Sequence, residues 1–177
     1  MAKSSREKIA EDENKIVNEL RMHAKESIDK IAKSCSCSRQ KVWRIIKGLE
    51  KNKTIWGYSA VLDDEKLGLK RYFIFLKRTN KPVSKEIIEV ITTRRLKQET
   101  KHIDVTLEES YYVHGFSDWV LCITANDFSH VTKYCEVLKQ LFVEGIVSEM
   151  KILEVLFTNE KCCISNPEPE KIIKFFL

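Results

Sequence analysis

Only five glycines and three prolines occur in these 177 residues, so glycine-rich cradles for nucleotide phosphates have little material to be built from. No nucleophile and base pairing, phosphate loop or H-E-x-x-H helix is present either, and the sequence offers no catalytic constellation. Apolar runs fall well short of the roughly 20 residues that a membrane span requires. The stretch Met1 to Asp12 is polar and mixed in charge, without the apolar centre of a secretory signal, which makes the cytoplasm the expected location. The six cysteines, Cys35, Cys37, Cys122, Cys135, Cys162 and Cys163, are irregularly spaced, and reduced thiols are expected. Cys35 and Cys37 flank one serine and Cys162 and Cys163 are adjacent, a spacing unlike the C-x2-C knuckle, so neither a metal nor another cofactor is expected. Cys122 and Cys135 sit in apolar patterns and read as small core residues.

What the chain does contain is charge, unevenly placed. Hydrophobic residues make up 43% and charged residues 32%, the balance of a globular protein with one ordinary domain or two small ones. Between Ser38 and Lys53 stand Arg39, Lys41, Arg44, Lys47, Lys51 and Lys53 against the single acid Glu50, a local excess equal to the net charge of +5 for the whole chain. Such a focused positive field suits a polyanion such as DNA; a solvated helix face is the alternative.

The surrounding pattern is helical. Ile9, Ile16, Val17 and Leu20 recur at helical spacing, with Glu11, Asp12 and Glu13 at the start, where acids favour a helix. Ser27 can cap a short second helix with Ile28, Ile31 and Ala32 inside, and Ser38 a third in which Val42, Ile46 and Leu49 form the buried stripe. Three short helices with a tight turn before the last describe a helix-turn-helix. Ser38, Arg39, Gln40, Lys41, Trp43, Arg44 and Lys47 are then the DNA-binding candidates. Arg39, Gln40 and Arg44 suit base edges, and Lys41 and Lys47 suit phosphates. Trp43 either meets a thymine methyl or sugar, or shields the domain's own core. Thr54 to Leu62 is β-rich, as a wing or as a strand leading onward.

A second domain follows the polar connector. Tyr72 to Leu76 predicts a buried strand, and Ser84 a helix with Ile87, Ile88, Ile91 and Leu96 inward. Strands are expected over Val105 to Val113 and Trp119 to Ala125, separated by the turn His114 to Asp118. Asn126 or Asp127 caps a helix containing Phe128, Val131, Cys135, Leu138 and Phe142, Gly145 ends it, and Ile146 to Phe157 forms the last strand. The fold class is therefore α+β, a winged helix-turn-helix followed by a ferredoxin-like βαββαβ domain. Its boundaries are 1–66 for the helical domain, 67–70 for the linker, 71–158 for the sheet domain and 159–177 for a tail. One sheet face needs a cover, and a second copy of the chain is the expected one.

Together the two halves resemble the Lrp/AsnC family of transcription regulators over about residues 9 to 157. The likeness rests on Ile16-Val17-Asn18-Glu19-Leu20, on Ser38, on Leu49-Glu50 followed by Ile55 to Leu62 and Leu67-Gly68, on Val113 to Asp118, and on Gly145-Ile146. The resemblance implies a cytoplasmic, sequence-specific regulator that is not an enzyme. It implies double-stranded DNA and the chain itself as partners, in dimers that assemble into tetramers or octamers, with no membrane involved. It also implies an amino-acid-like effector near a Gly-x-x-Asp turn, which places Gly115 and Asp118 at that site with His114 and Ser117 beside them. Gly115 and Asp118 shaping only a tight turn is the alternative.

Three departures accompany the resemblance. Ser36 stands where relatives often carry the glycine of the helix-turn-helix turn. Ser148, Glu149, Met150 and Lys151 replace threonines common among effector-binding relatives, which weighs against an ordinary amino acid as that ligand. The tail from Thr158 ends in Ile172, Ile173, Phe175, Phe176 and Leu177, too short to span a membrane, and is read as a docking segment onto another subunit. Two other functions fit the same plan: an architectural protein that coats DNA, and a sirohaem-decarboxylase-like enzyme using Tyr111, Tyr112 and His114.

Overall fold

The computed structural model describes residues 5–142 and 146–177, so the expected helix end at Gly145 lies outside the described residues. The chain divides into two compact units, one comprising residues up to Val61 together with Thr158–Leu177, the other Leu62–Phe157.

The first unit is built on α1 (Ser5–His23), α2 (Ile28–Ser34) and α3 (Arg39–Lys51). Helix α1 is already helical at Ser5, so Glu11 to Glu13 lie inside it and Glu7 is the acid of its first turn. Ile16, Ile31, Ala32, Cys35, Val42 and Ile46 form the core, with Leu20, Ile28 and Cys37 packed against it. Ser27 and Ser38 both cap as expected, their hydroxyl oxygens accepting from the amides of Lys30 and Lys41 at 3.3 Å.

The turn between α2 and α3 is a Schellman motif. Cys37 N–H bonds to Ala32 O at 2.9 Å and Ser36 N–H to Lys33 O at 3.2 Å, which satisfies carbonyls that the helix end would orphan. This closure requires a left-handed residue, and Ser36 supplies it with φ 53°.

Residues 54–62, expected as a wing or leading strand, carry no regular secondary structure. A β-prone segment needs a neighbouring strand to bond to, and among the described residues none pairs with it. The tail belongs to this first unit. It folds as a small hairpin of β5 (Glu160–Lys161) and β6 (Ile164–Ser165) and a 3-10 turn over Pro169–Phe175.

The second unit contains β1 (Lys70–Arg78), α4 (Lys85–Thr92), α5 (Arg95–Glu99), β2 (Val105–Tyr112), β3 (Trp119–Ala125), α6 (Phe128–Leu141) and β4 (Val147–Glu154). The sheet order is β2-β3-β1-β4 with every pairing antiparallel, the ferredoxin-like arrangement. Of the apolar run in β1, Tyr72, Ile74 and Leu76 are fully buried toward the helices, while Phe73 and Phe75 face the other side and are half-buried. Helix α4 buries Val90 and leaves Ile88 and Ile91 largely exposed, a rotation from the expected face; Leu96 is buried from the separate helix α5.

Arg71 ties the connector to the sheet. Its guanidinium donates to Asp64 at 2.8 and 3.2 Å and to the Cys122 sulfur at 3.0 Å, and pairs with Glu108 at 3.3 Å. Burial opposes the charge on Arg71, yet these partners outweigh it and raise its pKa.

Candidate nucleic-acid interface and sensing turn

Helix α3 buries Val42, Ile46 and Leu49, and this fixes its other faces toward solvent. Arg39, Trp43 and Lys47, spaced by four, form one outward ridge, with Gln40 and Arg44 on the next. All five are exposed, and none joins the core. Trp43 is 54% exposed, so it does not shield its own domain.

The cations on this helix have different commitments. Arg39 reaches Asp29 at 3.4 Å and Lys47 reaches Glu50 at 2.7 Å, both on the surface. Exposed pairs are worth roughly 0–1 kcal/mol and exchange readily for a phosphate. Glu50 is held below the usual carboxylate range by Lys47, and Tyr58 donates a further hydrogen bond to it at 3.1 Å. Lys41 differs: its ammonium bonds to the Asp12 carboxylate on α1, which is only 8% exposed and whose pKa that contact lowers. Lys41 is thus a brace between α1 and α3, and Arg44 is a cation without an ion pair among the described residues. Through Val61 the chain holds fourteen Lys and Arg against eight Asp and Glu, so the positive charge lies with this unit.

In the second unit the turn after β2 is closed from both sides. Val113 N–H bonds to Asp118 O at 3.0 Å and Asp118 N–H to Leu76 O at 2.9 Å. Gly115 has φ 149°, a conformation that a side chain would strain. Asp118 Oδ2 accepts from the Arg78 amide at 2.8 Å and pairs with Lys77 at 3.4 Å, contacts that hold its carboxyl below the usual range. The Lys77 ammonium also donates to Gly115 O at 3.0 Å. Ser117 is 2% exposed and its hydroxyl lies 2.9 and 3.0 Å from the carbonyls of Leu76 and Trp119, whereas His114 is exposed.

The turn therefore gathers Gly115 and Asp118 with the Lys77 ammonium and the Arg78 backbone amide. The sequence signal for these two was weak: the apolar alternation of β1 simply ends at Lys77. Arg78 also donates to the Tyr112 hydroxyl at 2.8 Å. Tyr111 and Tyr112 are consecutive in β2 and project to opposite faces, so they do not converge on one ligand.

No family model and no curated protein matches the sequence. Solved structures do match its fold. An AsnC-family transcriptional regulator from Agrobacterium tumefaciens aligns over 85% of this chain and 92% of its own, at 18% identity and a TM-score of 0.62. The leucine response regulatory protein LrpA from Mycobacterium tuberculosis aligns over 85% and 94%, at 17% identity and 0.64. A transcriptional regulator from Neisseria meningitidis, solved as a complex with L-Met, aligns over 90% and 97%, at 18% identity and 0.61.

Proposed function

We propose that this chain is a transcription regulator of the Lrp/AsnC type that binds double-stranded DNA as a dimer or larger assembly of itself. The observation that carries the reading is the outward ridge of α3, where Arg39, Gln40, Trp43, Arg44 and Lys47 lie on the exposed side of a helix capped at Ser38 and preceded by a tight turn. In a helix-turn-helix that helix enters the major groove. Arg39, Gln40 and Arg44 have the donor geometry for base edges, Lys47 suits a phosphate, and Lys41 sets the angle of α3 against α1.

The second unit serves assembly and sensing. Its uncovered sheet face presents Phe73 and Phe75 with Tyr111 and Leu153, and Phe116 packs on Phe75 at a 5.4 Å ring separation while remaining 75% exposed. A second copy of the sheet is the cover that buries this face. Lys77 beside Gly115 and Asp118 suits a small zwitterion, its carboxylate paired by the Lys77 ammonium and its ammonium by Asp118. The L-Met complex among the matching folds supports that class of effector.

The test is fluorescence-anisotropy binding to DNA from upstream of the chain's own gene and to scrambled DNA, each at two salt concentrations. Preference for the upstream DNA is expected. Equal and steeply salt-dependent binding would mean an architectural coat, and no binding would refute the regulator reading.

A further inference from the structure

Between the three helices of the first unit lies an open depression of about 720 Å³. Its apolar part comes from Ile9 on α1, Ile28 on α2 and Trp43 on α3; its polar rim includes Arg39, Gln40 and Arg44. Ile9 is 49% and Trp43 54% exposed, so two large apolar side chains stand in water in the middle of the most basic surface of the chain. On the helix, Trp43 has Arg39 one turn before it, Lys47 one turn after it, and Gln40 and Arg44 beside it. The tryptophan is therefore central among the side chains suited to base edges.

A basic rim selects a polyanion, and an apolar centre within it needs an apolar group on that same polyanion. The edges of the DNA major groove offer one such group, the C5-methyl of thymine. We infer that Trp43, backed by Ile9 and Ile28, is a specificity-determining residue that receives a thymine methyl and makes the chain prefer a thymine at one position in each half-site. This inference rests on the regulator reading given above.

Deoxyuridine differs from thymidine only in lacking that methyl, which isolates the contact. The upstream duplex is prepared with each thymine replaced in turn by deoxyuridine, and anisotropy is measured at fixed salt for the full chain and for Trp43→Ala and Trp43→Phe. The wild-type chain is expected to bind about fourfold more weakly when the contacted thymine of one half-site is replaced, the value of a single buried methyl group, and about fifteenfold more weakly when it is replaced in both. Trp43→Ala should bind the thymine and uracil duplexes equally at that position, and Trp43→Phe should keep part of the difference.

A wild-type ratio of one at every thymine overturns the inference, as does a ratio that survives in Trp43→Ala. A change in mass of Trp43→Ala by light scattering would also overturn it, by placing the tryptophan in a contact between copies of the chain. Binding of neither natural nor substituted duplex refutes the regulator reading and this inference with it. A ratio of one with binding retained refutes the thymine contact alone.

Discussion

Ser36→Gly should stabilise the protein. Ser36 is the left-handed residue of the Schellman turn between α2 and α3, at φ 53°. An L side chain in that region costs about 1–2 kcal/mol, because its Cβ crowds the following carbonyl. Its hydroxyl makes no hydrogen bond among the described residues and the side chain is exposed, so removing it forfeits no contact. Glycine has more freedom to lose on folding, about 0.5–1 kcal/mol, which offsets part of the relief. The net expectation is a gain of about 0.5–1 kcal/mol. For a cooperative unit of 60–100 residues that corresponds to roughly 2–8 °C in Tm.

Calorimetry locates the transition, and guanidinium denaturation followed through Trp43 and Trp56 checks that the midpoint rises at unchanged slope. Ser36→Val, whose branched side chain tolerates a positive φ poorly, should melt below the wild type. A Ser36→Gly protein that melts at or below the wild type would refute the strain assigned to this turn.

Other consequences are as direct. Lys47→Ala should weaken binding to all DNA alike and lower the salt slope by about one unit, whereas Arg39→Ala should mainly erode discrimination between sites; equal losses for both at every site would sink that division. Lys41→Ala should lower the melting temperature and leave the salt slope unchanged, since Asp12 already holds that ammonium; a slope reduced by one unit would return Lys41 to the phosphates. Arg71→Ala removes the buried guanidinium that pairs with Asp64 and Glu108 and should destabilise the sheet unit by about 3 kcal/mol, read through Trp119 fluorescence; a loss under about 1 kcal/mol would show the pair to be dispensable. Asp118 has a pKa below its ordinary 3.8, so its contribution is present above that value and disappears as pH falls through the lowered one. Asp118→Asn should therefore melt below the wild type at pH 7, with the gap closing at pH below about 4; a gap of constant size would contradict the sign.

Where one physical signal dominated locally, the sequence was enough to place an element. Ser38 followed by Val42, Ile46 and Leu49 defines α3 because cap and stripe agree, and the strand over Trp119–Ala125 is as expected because all its neighbours are turn-formers. Helix α4 was misjudged for the converse reason. Ile87 and Val90 form one apolar pair at a spacing of three and Ile88 and Ile91 another, so periodicity alone cannot choose the buried pair. Lys41 was unreadable as a brace because its partner lies 29 residues away on another helix. The Lys77 ammonium and the Arg78 amide meet Asp118 only once β1 has paired with β3, so neither contact is legible from β1 alone. Local order was thus legible, and the commitments of individual charges, which depend on distant partners, were not.

On the regulator reading proposed above, one copy of the basic helix is insufficient. With Lys41 held by Asp12, the outward face of α3 offers Lys47 to a phosphate and Arg39, Gln40 and Arg44 to bases, a small footprint for a unit that must find one site among many. Joining two copies through the apolar sheet face makes the second helix's binding intramolecular, with affinity multiplied by its effective concentration near the DNA rather than by new contacts. In helix-turn-helix dimers the half-sites lie about one helical turn apart, roughly 34–36 Å or a multiple of it, and the proposed dimer predicts a site of that kind. An effector held at Lys77 and Asp118 would need to touch no DNA-binding residue. On the proposed reading, an effector that favours paired over separate sheets raises the effective concentration of the second helix and so the affinity for DNA.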